Sequence, residues 1–506
     1  MLIRSHWYLT RSILLFLSSF LFFYTVLQPL SVDAKEDKKR SKGESKKEKK
    51  AKGQKSDNNK EDEGDTDSKI PDRRLIRIPN EVTEIAEKQF KGYKNVRKFL
   101  FHNGVTAIGA DAFSGCKALE GIQIPDSVEN IGKNAFEGCV RLSEVKLPSG
   151  MTEIPEGMFK GCTSLSKLII PASVETIGKG AFEGCINLKT VVLPAKLTGI
   201  GEEAFKGCTA LEKIRIPDSV TGIGGKAFSG CLSLGTVNVP AGVTEWGNNP
   251  FAMCPRVNVV LAPKHPAFFQ YKGVIYSNDK TTLLHYSPRI RLGSYIPPRQ
   301  IRTIAAGAFS GSPSLRTIVL PPTLETVEEG AFASCPNLAN IHFRNPEVSL
   351  AKGAFSKCTG LRSVVLPGKC TELPEELFSG CTRLAQVKFP AALEKIGSKA
   401  FSGCSTLDNI ILPDSVTDME AGAFEKCITL QRIHLSKGLT GIKKDTFSGC
   451  ISLRNIVLPE SVESVEPGAF LKCDKLAKVV TGNTSIEKDD EIFPKRTKLV
   501  KPRKRR

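Results

Sequence analysis

The sequence predicts an α/β solenoid of sixteen 23-residue rungs. Each rung is a short parallel strand followed by a short helical turn, and a β-hairpin interrupts the stack between two blocks of eight. Three observations predict it. Phenylalanine returns every 23 residues from Phe90 to Phe251 and again from Phe309 to Phe470, so sixteen of the 27 phenylalanines share one register. Three residues after the phenylalanine stands a slot that holds 14 of the 15 cysteines. Each unit also repeats one apolar strand, mostly closed by proline, as in CKALEGIQIPDSVENIGKNAF. A short fixed period marks units that bury their apolar side only against copies of themselves.

Residues 1–34 read as a signal peptide or a signal anchor. Arg4 and Arg11 precede an apolar run from Ile13 to Leu27, and Val32-Asp33-Ala34 offers the small residues of a cleavage site. Left uncleaved, residues 13–30 would anchor the chain. Nine Lys and Arg follow the run by position 50, against two before it, and that bias favours a cytoplasmic C-terminal side for an uncleaved helix. Residues 35–70 are a basic spacer with almost no apolar side chain, hence expected to be disordered.

Residues 71–262 form block one. In its model unit, Leu119, Ile122 and Ile124 point inward by alternation, while Gly121 and Gln123 point outward. Pro125 ends the strand because it has no N–H to give. Val128 and Ile131 turn in again, Gly132 permits a tight or left-handed bend, and KNAFEGC suits a helical turn. Residues 263–298 hold the insert, in which Val274-Ile275-Tyr276 and Leu283-Leu284-His285-Tyr286 flank a polar turn at Ser277 to Lys280. Residues 299–485 form block two, and 486–506 a basic tail expected to be disordered.

These units closely resemble the BspA-type leucine-rich repeat, over about residues 75–480. The resemblance implies a leucine-rich repeat solenoid, a surface protein and a hairpin such as the one seen in the insert. Proline stands here where the ladder-forming Asn or Cys of the common leucine-rich pattern follows the strand.

The cysteine column reads as core packing. Neighbouring slot-mates stand about 4.8 Å apart by strand spacing, wider than the roughly 3.8 Å between Cβ atoms of a disulfide. A straight column also cannot converge on a tetrahedral metal. No P-loop, nucleophile elbow, zinc-protease or dinucleotide motif occurs, so the sequence predicts no enzyme and no cofactor. His342 and His434 share an outward slot four rungs apart, too far to share a metal.

Charge narrows the partners. The chain carries +19, of which residues 75–493 carry only +6 and the tails most of the rest. That argues against nucleic acid as a partner and leaves anionic-membrane contact to the basic tails. The expected binding surface is the outward strand face of block two. Its first slot includes Asn340, Gln386, Asn409, Arg432 and Asn455. Its second slot alternates as His342, Val365, Lys388, Ile411, His434 and Val457. Exposed apolar groups among neutral hydrogen-bonding side chains suit a protein or glycan partner. Asn483 opens an Asn-Thr-Ser sequon that would accept a glycan in the secretory pathway. Together these observations predict a non-catalytic adhesion or recognition protein, secreted or displayed at the cell surface. The second reading is a membrane-anchored intracellular scaffold with its array facing the cytosol.

Overall fold

The computed structural model describes residues 74–501. The targeting segment at 1–34, the basic spacer at 35–70 and the last five residues lie outside the described residues. The chain turns in a repeating coil whose strands lie in parallel register one repeat apart. Thus Gly121–Gln123 pairs with Glu144–Lys146, and Lys167–Ile169 with Thr190–Val192. Strands Asn340–Phe343, Asn409–Ile411 and Asn455–Leu458 continue the ladder in block two. The described residues make nineteen such turns, from Leu75–Arg77 to Lys498–Val500, more than the sixteen expected.

Alternation works as the pattern requires: Ile122 and Ile124 are buried, and Gln123 is exposed. A second side of each turn carries two-residue strands, such as Thr176–Ile177 beside Gly199–Ile200 and Gly222–Ile223. Gly132, at the end of this side, is required by close approach and not by a left-handed bend. A Cβ there would lie 2.3 Å from the Ala110 nitrogen of the preceding turn.

The third side corrects an expectation, since no helix occurs among the described residues. In KNAFEGC, Asn134 and Gly138 both take positive φ, 55° and 69°, on either side of Phe136. Two left-handed residues four apart end any helical run. The backbone donors go elsewhere. Asn134, Phe136 and Gly138 N–H groups donate to Glu156, Met158 and Lys160 of the next turn at 2.7–3.0 Å. The alternate N–H groups of Glu137 and Cys139 close local turns on Asn134 and Phe136. All are satisfied without an i to i−4 bond.

Inside this corner the phenylalanines stack face to face. Ring centroids lie between 4.6 Å for Phe309–Phe332 and 6.0 Å for Phe424–Phe447, with nearly parallel planes. The cysteines do more than fill space. All 14 in the register are buried and free, and each Sγ donates to the carbonyl of the phenylalanine 26 residues earlier. Cys162, for example, donates to Phe136 O at 3.2 Å, an oxygen that also accepts the N–H of Cys139. A small apolar group that can still donate suits this slot.

The insert is a three-stranded antiparallel meander, Phe268–Tyr271, Val274–Ser277 and Thr282–Tyr286. It stands between two apolar cores and feeds both. Ile275 belongs to the core of block one, while Val274 and Tyr276 belong to that of block two. Its last strand runs parallel to Thr303–Ile304 and so starts the short-strand ladder of block two. The Gln270 side chain caps an open strand edge, accepting from Leu261 N at 3.0 Å and donating to Val259 O at 2.7 Å. Ser294–Tyr295, counted with the insert in the sequence reading, is already a ladder strand paired with Thr317 and Ile318.

The tail expectation also needs correction. Lys498–Val500 pairs with Lys478–Val480, Phe493 stacks on Phe470 at 5.4 Å, and Ile486 is buried. Residues 486–500 add a terminal turn whose phenylalanine lies 23 residues after Phe470.

Candidate binding surface

The outward residues of the strand ladder share one face, because parallel register carries each slot straight from turn to turn. Val319 stands beside His342, Val365 beside Lys388, Ile411 beside His434, and Val457 beside Val480. In the first slot, Asn340 neighbours Thr317, Gln386 neighbours Ser363, Asn409 neighbours Arg432, and Asn455 neighbours Lys478. All eleven residues singled out in block two are exposed. Val365, Ile411 and Val457 keep 59, 67 and 59% of their surface in water. Asn340 Nδ2 donates to Thr317 Oγ1 at 3.3 Å.

Block one also exposes aliphatic side chains here, Ile169 at 77% and Val192 at 62%. Exposure alone therefore does not separate the blocks. What separates them is how many aliphatic side chains the slot holds. In block two the second slot also holds Ile296 and Val319 at its start, and Val480 and Val500 at its end. Sequence reasoning missed Ile296 and Val500 because one was assigned to the insert and the other to the tail. The 23-residue register of the strand was the signal that could have found Ile296, whereas Val500 lies only 20 residues after Val480 and so falls outside that register.

Asn483 sits in a structural role. Its Nδ2 donates to Val462 O at 2.9 Å, and its Oδ1 accepts from Ser485 N at 2.9 Å. Asn345 makes the same pair of bonds, to Leu324 O and from Glu347 N, in a turn without a sequon. The amide nitrogen that a glycan would occupy is thus already a donor that joins two turns.

Among the described residues, no helix is long and apolar enough to cross a membrane. None of their His, Cys, Asp and Glu side chains gather in threes around a metal-sized space. A groove of about 830 Å³ lies on the ladder of block one, where the missing side chain of Gly121 opens a notch between Lys98 and Glu144. It holds no nucleophile–base pair. Among the described residues the geometry offers a long repetitive face.

Comparison with known proteins agrees with this architecture. No curated protein matches the chain. Similar solved structures include a leucine-rich cell surface protein of Faecalibacterium prausnitzii, 25% identical over 78% of this chain and 87% of that one, with a TM-score of 0.46. A leucine-rich repeat protein of Bacteroides ovatus is 26% identical over 85% and 92% of the two chains, with a TM-score of 0.36. One of Eubacterium ventriosum is 23% identical over 70% and 85%, with a TM-score of 0.48. The model of the BspA-type leucine-rich repeat region matches residues 73–189, 153–272, 289–407 and 371–500, most of the chain. With its stacked parallel turns and its phenylalanine and cysteine columns, the chain belongs to the BspA-type leucine-rich repeat family.

Proposed function

We propose that this is a non-catalytic recognition protein of the secretory pathway, released or displayed at the cell surface, that binds a protein partner on the strand face of block two. One observation carries the reading. Val365, Ile411 and Val457 stand more than half exposed in a column that they share with Lys388 and His434, beside a slot of amides and hydroxyls broken by Arg432 and Lys478. Burying such side chains under a partner is worth roughly 25 cal/mol per Å² of apolar area. The leader-like start of the sequence and the family's surface proteins support the export half of the reading.

The test pairs two double variants. A partner is first captured from secreted proteins, identified and purified, and its affinity is then measured. Val365→Asp with Ile411→Asp should weaken binding by at least about tenfold, the size expected of a central apolar anchor. Thermal stability should hardly change, because both side chains point to solvent. Ile169→Asp with Val192→Asp should leave binding intact. If both pairs bind like the parent, or if the block-two pair unfolds the array, the ladder is structural. The position of the mature N-terminus, near Lys35 for a cleaved leader, tests export against the cytosol-facing alternative.

A further inference from the structure

The strand face concentrates the charge of the array. Residues 74–501 carry a net +11. The three outward columns of the ladder are the residue before each strand and the two outward strand slots. Together they hold sixteen Lys and Arg against four acids, Glu120, Glu144, Glu212 and Asp408, a net +12. The rest of the described chain therefore sums to −1. Sequence reasoning spread this charge over the body and assigned the basic character to the tails.

Pairing follows the same division. On the other sides of the coil the cations are tied to carboxylates, as in Lys160–Glu183, Lys179–Glu202, Lys352–Glu375 and Lys443–Asp418 at 2.8–2.9 Å. On the strand face the acid that pairs is Glu120, with Arg97 and Arg141, in block one. In block two, Arg316, Arg362, Lys388, Arg432, Arg454 and Lys478 are all exposed, and none has an ion-pair partner among the described residues. Lys498 extends the series to the terminal turn. These like charges, one or two turns apart, repel one another, and Asp408, a turn from Arg432, is the one acid in the three columns of block two among the described residues.

We propose that the block-two strand face docks an acidic protein surface whose Asp and Glu side chains meet these cations, with aliphatic side chains between them seated on the Val and Ile column. The proposal rests on the strand-face reading above and names its partner's chemistry. Charge complementarity selects an anion. The aliphatic column selects among anions. The outward slots of this face hold no Phe, Tyr or Trp on which a base or a sugar ring would stack, whereas Val and Ile suit apolar protein side chains.

The experiment uses the full chain and three immobilised probes of matched charge: polyglutamate, a glutamate–leucine copolymer and heparin. The copolymer should bind tightest, with affinity falling as salt rises. The triple variant Arg362→Gln, Arg432→Gln and Arg454→Gln should weaken copolymer binding by about tenfold at 0.15 M salt. The basic tails are the same in both proteins and cancel in that comparison. Tighter binding of heparin than of the copolymer would overturn the proposal in favour of a sulfated polysaccharide. Unchanged copolymer binding by the triple variant would overturn it outright. The Val365 and Ile411 experiment separates the two levels. If partner capture is lost there but the arginine triple has no effect, only the acidic partner falls. If capture survives there, the strand-face reading itself fails.

Discussion

Nδ1 of His285 lies 3.1 Å from Oδ1 of Asn249, joining the insert to the last full turn of block one. Asn249 Nδ2 donates to Gly307 O at 2.6 Å, which fixes the amide's orientation. His285 Nδ1 therefore carries the hydrogen. Nε2 is buried without a partner, so a proton added there would meet no acceptor. Burial accordingly holds the imidazole neutral, pulling its pKa down to about 4.

From this follows a pH dependence of known sign. The unfolded imidazole titrates near 6.5. Its contribution to stability is complete above that value and is lost as pH falls toward 4, because only the unfolded chain takes up the proton in that window. The loss amounts to about 3 kcal/mol when complete. Urea midpoints measured from pH 7 to pH 4 should fall, and His285→Gln should remove most of that slope. His265, also lowered by burial, contributes in the same direction and leaves a residue of it. A slope unchanged in His285→Gln would show that the seam does not hold a neutral imidazole.

The cysteine column predicts a labelling pattern. Burial raises the Cys185 thiol to about 12 and pushes Cys162 and Cys404 up as well, so almost no thiolate exists at pH 8. A thiol reagent at that pH should react in the native protein with Cys370, which is half-buried and outside the column, and with the other 14 only after denaturation. Disulfides between neighbouring turns, or bound zinc, would contradict the packing account. Cys185→Ala loses both a contact and the bond to Phe159 O, and should cost about 1 kcal/mol in a urea melt.

Much of this was legible because a repeat states its rule many times. The inward positions Ile122 and Ile124, the spine of Phe136 and its equivalents, and the outward slots of Val365 and Ile411 all follow from period and alternation. Two kinds of feature were not legible. KNAFEGC has the composition of a helical turn, and only the positive φ at Asn134 and Gly138 shows that its N–H groups bond to the next turn. The charge of the binding face was hidden for a different reason. Arg316, Arg362 and Arg454 precede their strands, in a column that is invisible until the turns are stacked in register.

The terminal turn predicts a cap. Phe493 is buried against Phe470, which would otherwise face solvent at the end of the spine. End units of stacked repeats shield the core beneath them. Removing residues 486–506 should lower the thermal midpoint by several degrees and raise binding of a hydrophobic dye. Phe493→Ala should reproduce most of that loss, since truncating a buried Phe costs about 3–5 kcal/mol, less whatever the end turn already loses by fraying. A truncated chain as stable as the parent would make residues 486–506 the tail that composition suggested.

The insert predicts how the array melts. Ile275 is fully buried in the core of block one, and its neighbours Val274 and Tyr276 are buried in that of block two. One strand thus serves two cores through its alternating faces, so neither core can dissolve without exposing the strand that completes the other. The Tyr276 hydroxyl is also bonded to that of Tyr295 at 2.8 Å, fastening the strand to the first turn of block two. Coupling through such an interface makes stacked units unfold together. The parent should therefore show a single calorimetric transition, and Leu188→Ala, deep in block one, should shift all of it downward. Ile275→Asn places an amide without partners in the core of block one while leaving Val274 and Tyr276 seated. It should split the melt into two transitions, and adding Leu188→Ala should then move only the lower one. A single transition that still moves as a whole in the double variant would mean that the blocks are coupled through the direct Asn249–Gly307 contact and not through this strand.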